Sequence, residues 1–381
     1  SAKLISFFPR SLGEDGVPWQ AHLKAYYHLH KAMEYLKKHA LDFDILHTHL
    51  SSSSDMYVFP LIANLGIPYI TTLHSNFPFD RVEGDWIGDA DHYYMEWLAR
   101  APLVAISERA RKLEEGKFSL NFIGVVHHGL CLDDFAMAEN GPEDYFAWLG
   151  RFIPEKGAHL AIEAARKTGV RLLLAGVVDA KLLAVKRYFQ KYIEPELDGK
   201  QIQYIGPVNM PQKVDFLKRA RGLLNPIQWE EPFGMVMIEA MAVGCPVIGF
   251  RRGAAPEIVQ SDKAGFLVKN LDEMVACIKQ IDRIDRSAVR QNVEKYFSAQ
   301  SMAKNYMRIY RSVIHEHKKS TGDIFEQSRL RLAGIASDLR PKNQKAIASV
   351  EYPLPVEYPL EEVESLSYSP TLTQAKKHRT P

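Results

Sequence analysis

The stretch Asn225-Pro-Ile-Gln-Trp-Glu-Glu-Pro-Phe-Gly234-Met-Val-Met-Ile-Glu239-Ala-Met-Ala-Val-Gly244-Cys-Pro-Val247 reads as a strand end, a loop and a helix. The apolar run Gly222–Leu224 stops, a loop carries Glu230 and Glu231, and Pro232-Phe233-Gly234 opens an amphipathic helix. Proline suits a helix start because the N–H it lacks would have no partner there. Gly234 lets a ligand approach the backbone with no Cβ in the way. The first-turn N–H groups then face a cleft and suit a diphosphate. Glu239, in the second turn, can accept two hydrogen bonds from the vicinal hydroxyls of a ribose, charge-assisted bonds of about 1.5–3 kcal/mol each. Acids at a helix start also serve as plain dipole complements.

Outward from this stretch the same alternation repeats. Short apolar runs at Tyr145–Leu149, Arg171–Leu174, Ile202–Ile205, Pro246–Ile248 and Gly265–Val268 read as strands. Amphipathic segments intervene at Ala158–Lys167, Ala180–Tyr192 and Pro211–Arg219. Short apolar runs alternating with amphipathic segments mark βαβ units and parallel sheets. An earlier series holds strand candidates at Leu4–Phe8, Asp44–His47, Tyr69–Leu73, Leu103–Ala105 and Phe122–Val126, with helices at Gln20–His39 and Ser107–Lys117. Met137–Asp144, polar and broken by Gly141-Pro142, separates the two series as a linker. The expected architecture is α/β: two doubly wound domains, 1–140 and 141–300, facing each other across a cleft.

Leu271–Ile281 and Ser287–Phe297 follow as helices, and Met302, Tyr306, Ile309, Tyr310 and Val313 repeat at helical spacing, giving a helix over 301–319 that packs back. Beyond it, 320–381 reads as a flexible tail with one helix candidate, Asp323–Leu339. It holds the direct repeat Val350-Glu-Tyr-Pro-Leu354 and Val356-Glu-Tyr-Pro-Leu360, then Lys376-Lys377-His378-Arg379. Prolines at that spacing bar regular structure.

Composition narrows the function. The chain has 381 residues, 46% of them hydrophobic, enough for two ordinary domains of about 100–200 residues each. Its 48 basic and 46 acidic residues give a net charge of +2, without the basic excess of a nucleic-acid binder. Cys131, Cys245 and Cys277 are odd in number and far apart, which suits neither a disulfide framework nor a zinc cluster and fits a reducing cytosol. No run approaches the roughly 18 apolar residues of a membrane span. Peripheral membrane contact stays open.

Glu231 and Glu239, with seven residues between them across a loop–helix junction, resemble the signature of the retaining glycosyltransferases of the GT-B fold, family 4. Gly244-Cys-Pro-Val247, Ala255-Pro256-Glu257 and Gly265-Phe-Leu-Val268 match the same family. The resemblance implies that Glu231 lies against the transferred sugar and Glu239 holds the ribose, with Phe233, Gly234 and Met235 at the donor. Leu149-Gly150-Arg151-Phe-Ile-Pro-Glu-Lys156-Gly157 is similar to the family segment whose Arg and Lys hold the donor diphosphate. Arg151 and Lys156 take that role, Gly150 lying beside them. A fixed cation pair there would stabilise charge growing on the leaving phosphate. Leu174-Ala-Gly176 and Ile205-Gly-Pro-Val208 resemble the base-binding segments, Val208 as a backbone contact, or are plain strand-end turns.

In the first half, Thr71-Thr72-Leu73-His74-Ser75 closes a strand where the family places a catalytic-site histidine. His74 takes that role by resemblance; a strand-end histidine also serves as a satisfied structural residue. Ser107 resembles a serine beside the family's cleft, but capping the following helix is the favoured reading. His47-Thr-His49 puts two imidazoles on one strand face, a metal-binding spacing without a third local ligand. Asp89-Ala-Asp91 imitates the acidic motif of metal-dependent transferases but sits in a polar loop before a helix. Val126-His127-His128-Gly129-Leu-Cys131 stands where the family has Pro-Asn-Gly-Ile-Asp, and reads as variation in an interdomain loop.

The resemblance therefore implies transfer of a sugar from a nucleoside diphosphate sugar to an acceptor hydroxyl, with retention of configuration and with no metal or other cofactor. A phosphorylase or isomerase on the same fold, or a nonenzymatic nucleotide-sugar-binding relative, is the alternative. One further expectation concerns the start of the chain. Family members open with a strand, a glycine-rich loop and a helix. Either Gly13-Glu-Asp-Gly16 is that loop in short form, or Leu4–Phe8 is a later strand and the first βα unit is missing from the N-terminal domain.

Overall fold

The computed structural model describes residues 3–10, 22–51, 55, 57–76, 90–179, 182–260 and 262–338. Helix α1 (His22–Lys38) leads into a parallel sheet of β1 (Leu46–Leu50), β2 (Tyr69–Leu73), β3 (Leu103–Ala105) and β4 (Phe122–Val125), in that order. Helices α2 (Val58–Ala63), α3 (Ala90–Leu98) and α4 (Glu108–Glu115) make the crossovers. The expected strand Leu4–Phe8 is not a strand. Its aromatic residues turn onto α1 instead, Phe7 against His28 and Tyr35, and Phe8 stacked on His28. Gly13–Gly16 falls outside the described residues.

The second sheet contains β5 (Phe146–Leu149), β6 (Leu172–Ala175), β7 (Ile202–Tyr204), β8 (Gly222–Asn225), β9 (Val247–Phe250) and β10 (Gly265–Val268). All pairings are parallel, in the order β10-β9-β8-β5-β6-β7. Strands β6 and β8 are buried throughout, as the unbroken apolar character of β6 requires. Around them lie α5 (Ala158–Thr168), α6 (Leu183–Tyr192), α7 (Met210–Arg219), α8 (Met235–Ala242), α9 (Ala255–Ile258), α10 (Leu271–Ile278) and α11 (Arg286–Tyr296). The strand order reverses between β5 and β8. Carboxyl ends of strands diverge at such a switch point and leave a crevice for a ligand. Among the described residues this reversal is confined to the second sheet; the first runs in one direction.

Helix α12 (Ala299–Asp338) is longer than expected. The two helix candidates, 301–319 and Asp323–Leu339, merge into it. Among the described residues, those up to Ile324 form one compact unit. The repeat at 350–360 and the basic end lie outside the described residues. The first turns of α12 do return to the first sheet, with Met302, Tyr306, Ile309, Tyr310 and Val313 against Ile70, Val104 and Val126. The helical spacing of those five residues served this contact.

Candidate active site in the interdomain cleft

The loops that follow β5 and β8 are the two that carried the sequence motifs, and they meet at the switch point. A cavity of about 430 Å³ opens there. From the β5 loop it is lined by Gly150, Arg151 and Lys156; from the β8 loop and α8, by Glu231, Phe233, Gly234, Met235 and Glu239. The first domain adds His74 after β2, Ile106 after β3 and His128 after β4. Nine of the ten expected site residues thus share one cavity. Val208 does not: it lines a separate hollow with Pro207 and Pro211. The aspartates of Asp89-Ala-Asp91 cannot be placed, since Asp89 lies outside the described residues and nothing is described of the Asp91 side chain.

Gly234 caps α8 at φ 98°, ψ 65°, a left-handed conformation. A Cβ there would meet Met237 Cε at 2.4 Å, the mobile end of a flexible side chain, so it is the left-handed backbone that calls for glycine. Helix α8 is then aimed with its amino end at the cavity, and its buried face (Met237, Ile238, Met241) anchors it to the core.

The acids are not idle. Lys156 Nζ pairs with Glu231, and Trp229 Nε1 donates to Glu231 Oε2 over 2.8 Å. Lys213 Nζ pairs with Glu239 Oε1 at 2.5 Å. Lys213 reaches it from α7, whose start is set by a capping box between Asn209 and Gln212. Arg151 is exposed at the rim and has no side-chain hydrogen-bond or ion-pair partner among the described residues.

On the facing wall the imidazoles form a packed group. His49 Nδ1 and His74 Nε2 are hydrogen-bonded at 2.8 Å. The rings of His74 and His128 stack at 5.1 Å, and Phe233 meets His128 edge-on from the other domain. Burial first, then neighbouring imidazoles, hold His74 and His128 down at about 4. His74 is therefore neutral at pH 7 and presents a hydrogen-bonding imidazole, not a cation. His47, also at about 4 through burial, has both ring nitrogens engaged, by Tyr310 Oη and Thr72 Oγ1, each at 2.7 Å.

Sequence reasoning missed Lys213, His127 and His128. The last two sit where the resemblance broke down, and that departure was the signal. Ser107 caps α4 as favoured, accepting from Ala110 N at 2.9 Å, yet its hydroxyl also donates to Pro232 O across the cleft at 2.6 Å. It does both jobs.

Two parallel sheets facing across a cleft, with the ligand crevice at the switch point of the second, define a protein of the GT-B fold. The family model for glycosyl transferases group 1 matches residues 133–296, and that for glycosyltransferase family 4 matches residues 11–133. The chain belongs to glycosyltransferase family 4. A D-inositol 3-phosphate glycosyltransferase of Mycolicibacterium smegmatis is 32% identical over 161 residues, 39% of this chain and 37% of that protein. The chain spans less than half the length of the first curated relatives it matches. A sucrose-phosphate synthase from Thermosynechococcus elongatus superposes with TM-score 0.64 at 20% identity, over 79% of this chain and 82% of that one. Anabaena HepE, solved with UDP and glucose, superposes with TM-score 0.59 at 17% identity, over 74% and 81%. Among the described residues no helix is long and apolar enough to cross a membrane.

Proposed function

We propose that the protein transfers a sugar from a nucleoside diphosphate sugar to an acceptor hydroxyl, with retention and without a bound metal. One observation carries this reading: a single cavity gathers the cations, the two acids, the glycine-capped helix start and a neutral imidazole. Arg151, Lys156 and the first N–H groups of α8 supply positive field for the diphosphate, Arg as a fork and Lys as a point charge. Glu239 accepts from the ribose. Glu231 and His74 hold the sugar between the domains. The HepE structure with UDP and glucose supports a nucleotide-type donor by fold.

The step we infer is front-face displacement. The acceptor oxygen bonds to the anomeric carbon on the face from which the phosphate departs. The carbon–oxygen bond to the β-phosphate breaks, its electron pair goes to that phosphate, and the acceptor proton follows it. Arg151 and Lys156 stabilise the charge as it forms. No cofactor beyond the donor is needed. The acceptor hydroxyl belongs to a carbohydrate, a lipid or a small molecule. Free Cys131, Cys245 and Cys277 suit work in a reducing compartment such as the cytosol.

Thermal-shift screening against UDP-, GDP- and ADP-sugars tests the donor class. Turnover that survives EDTA and yields a product of unchanged anomeric configuration is the expected result. Activity lost to EDTA and restored by Mn²⁺ overturns metal independence, and release of sugar phosphate in place of nucleoside diphosphate points to a phosphorylase.

A further inference from the structure

Helix α4 belongs to the first domain, yet its cap is completed by the second. The opening N–H groups of a helix have no partner within it. Ser107 takes that of Ala110. Those of Glu108 and Arg109 go to Glu257, Oε2 and Oε1 respectively, each at 2.7 Å. Glu257 stands 149 residues further along, on α9 of the second domain. Its Oε2 also meets His127 Nε2 at 3.0 Å, from the segment leaving β4. Burial works to raise the Glu257 carboxyl. The bonds from His127 and the two amides outweigh it, so the net shift is downward and the group is held ionised.

The start of α9 is joined in turn to the loop that carries Glu231. Ala254 N donates to Glu231 O at 3.0 Å, and Gly253 N to Glu230 Oε2 at 3.2 Å. Gly253 lies so close that a Cβ would stand 2.5 Å from Glu231 backbone atoms. The first domain grips the same loop directly. Arg109 Nε donates to Glu230 Oε2 at 2.8 Å, Asn76 Nδ2 to Glu230 O at 3.0 Å, and Ser107 Oγ to Pro232 O at 2.6 Å.

We propose that Glu257 is an interdomain latch and a positioning residue for Glu231. By capping α4 it locks the two domains in the closed arrangement, and through α9 and Glu230 it presents the Glu231 loop to the sugar. The carboxylate is suited to this because it accepts two adjacent backbone N–H bonds at once. An amide at the same place would set its own NH₂ against one of them. The kinetic consequence rests on the transferase reading above; the mechanical one does not.

The test uses the full chain with nitroxides at Glu115→Cys and Lys186→Cys, in a background of Cys131→Ser and Cys277→Ser. Glu257→Gln is expected to broaden the measured distance distribution toward longer separations. Glu257→Asp, which keeps the charge but is one methylene too short to hold both amides, shifts it the same way by less, and decides the matter should Glu257→Gln not fold. With the donor that the sugar-nucleotide screen identifies, kcat of Glu257→Gln falls about tenfold or more while KM changes less than about threefold, because the side chains proposed to hold the nucleotide and diphosphate are unchanged. A distribution as narrow in both variants as in the parent overturns the latch. Broadening with unchanged kcat overturns the positioning role. Absence of turnover in the parent with every donor defeats the transferase reading, and the distance measurement alone then decides the latch.

Discussion

Lys213 Nζ lies 2.5 Å from Glu239 Oε1, with the two side chains 21% and 14% exposed. The carboxylate proposed for the ribose is thus already partnered, and a ribose must share it with a lysine from α7. Truncating Glu239 removes the acceptor and leaves Lys213 without its counter-charge in a half-buried place. Glu239→Ala should weaken binding of the cognate nucleoside diphosphate about tenfold, or ~1.4 kcal/mol. Calorimetry on Glu239→Ala, Lys213→Met and the double variant should show losses that do not add. Unchanged affinity in Glu239→Ala removes it from the site.

Arg151 and Lys156 differ in what they do without ligand. Lys156 holds Glu231, while Arg151 waits at the rim. Changing both to alanine deletes the field at the leaving phosphate and frees Glu231 to move. We expect kcat to fall about 10²–10³-fold, the scale of losing one preorganised charge-stabilising donor, with a smaller loss of ground-state affinity. An effect confined to KM contradicts the leaving-group role.

The second domain was legible because each of its signals was local. Proline, Gly234 and the Glu231 and Glu239 spacing sit within one strand–loop–helix turn, and the apolar runs of β5, β6, β9 and β10 are unbroken. Strands β2, β3 and β10 fall on their expected residues. Leu4–Phe8 misled because an apolar run names no partner, and Phe7 and Phe8 found aromatic rings on α1. The pairings of Lys213 with Glu239 and of Glu257 with α4 join residues far apart in sequence. No spacing rule reaches them. His128 looked like loop variation until its neighbours His74 and Phe233 were known.

The imidazole group should make the fold sensitive to acid. His47, His74 and His128 titrate near 4 in the folded protein through burial, against 6.5 unperturbed. Above pH 6.5 both states hold them neutral, and stability is flat with respect to these groups. Between 6.5 and 4 the unfolded chain takes up protons that the folded chain refuses, so stability falls as pH falls. Each unshared proton contributes at most about 1.4 kcal/mol per pH unit, less here because the rings are partly solvated and interact. Urea midpoints between pH 7.5 and 5 should decline, and His128→Asn should flatten that decline. Identical slopes in both proteins would show that His128 is not held neutral by the fold.

Tyr306 ties the returning helix to the first sheet by two means that substitution can separate. Its ring is 8% exposed among Ile70, Val104 and Val126, and its hydroxyl meets Thr72 Oγ1 at 2.9 Å. Thr72 keeps His47 Nε2 as a second partner, so losing the hydroxyl leaves no orphan on the sheet. Tyr306→Phe should therefore cost only about 0.5–1.5 kcal/mol. Tyr306→Ala opens a cavity under α12 and should cost about 3–5 kcal/mol, the range for a buried aromatic. The second sheet has its own core around Trp148, Phe152 and Leu174, to which Tyr306 does not belong. Nucleotide binding to the Ala variant should accordingly persist at low urea while the first domain loosens. Equal costs for the two variants, measured by urea denaturation, would mean that the Tyr306 ring contributes no packing of its own.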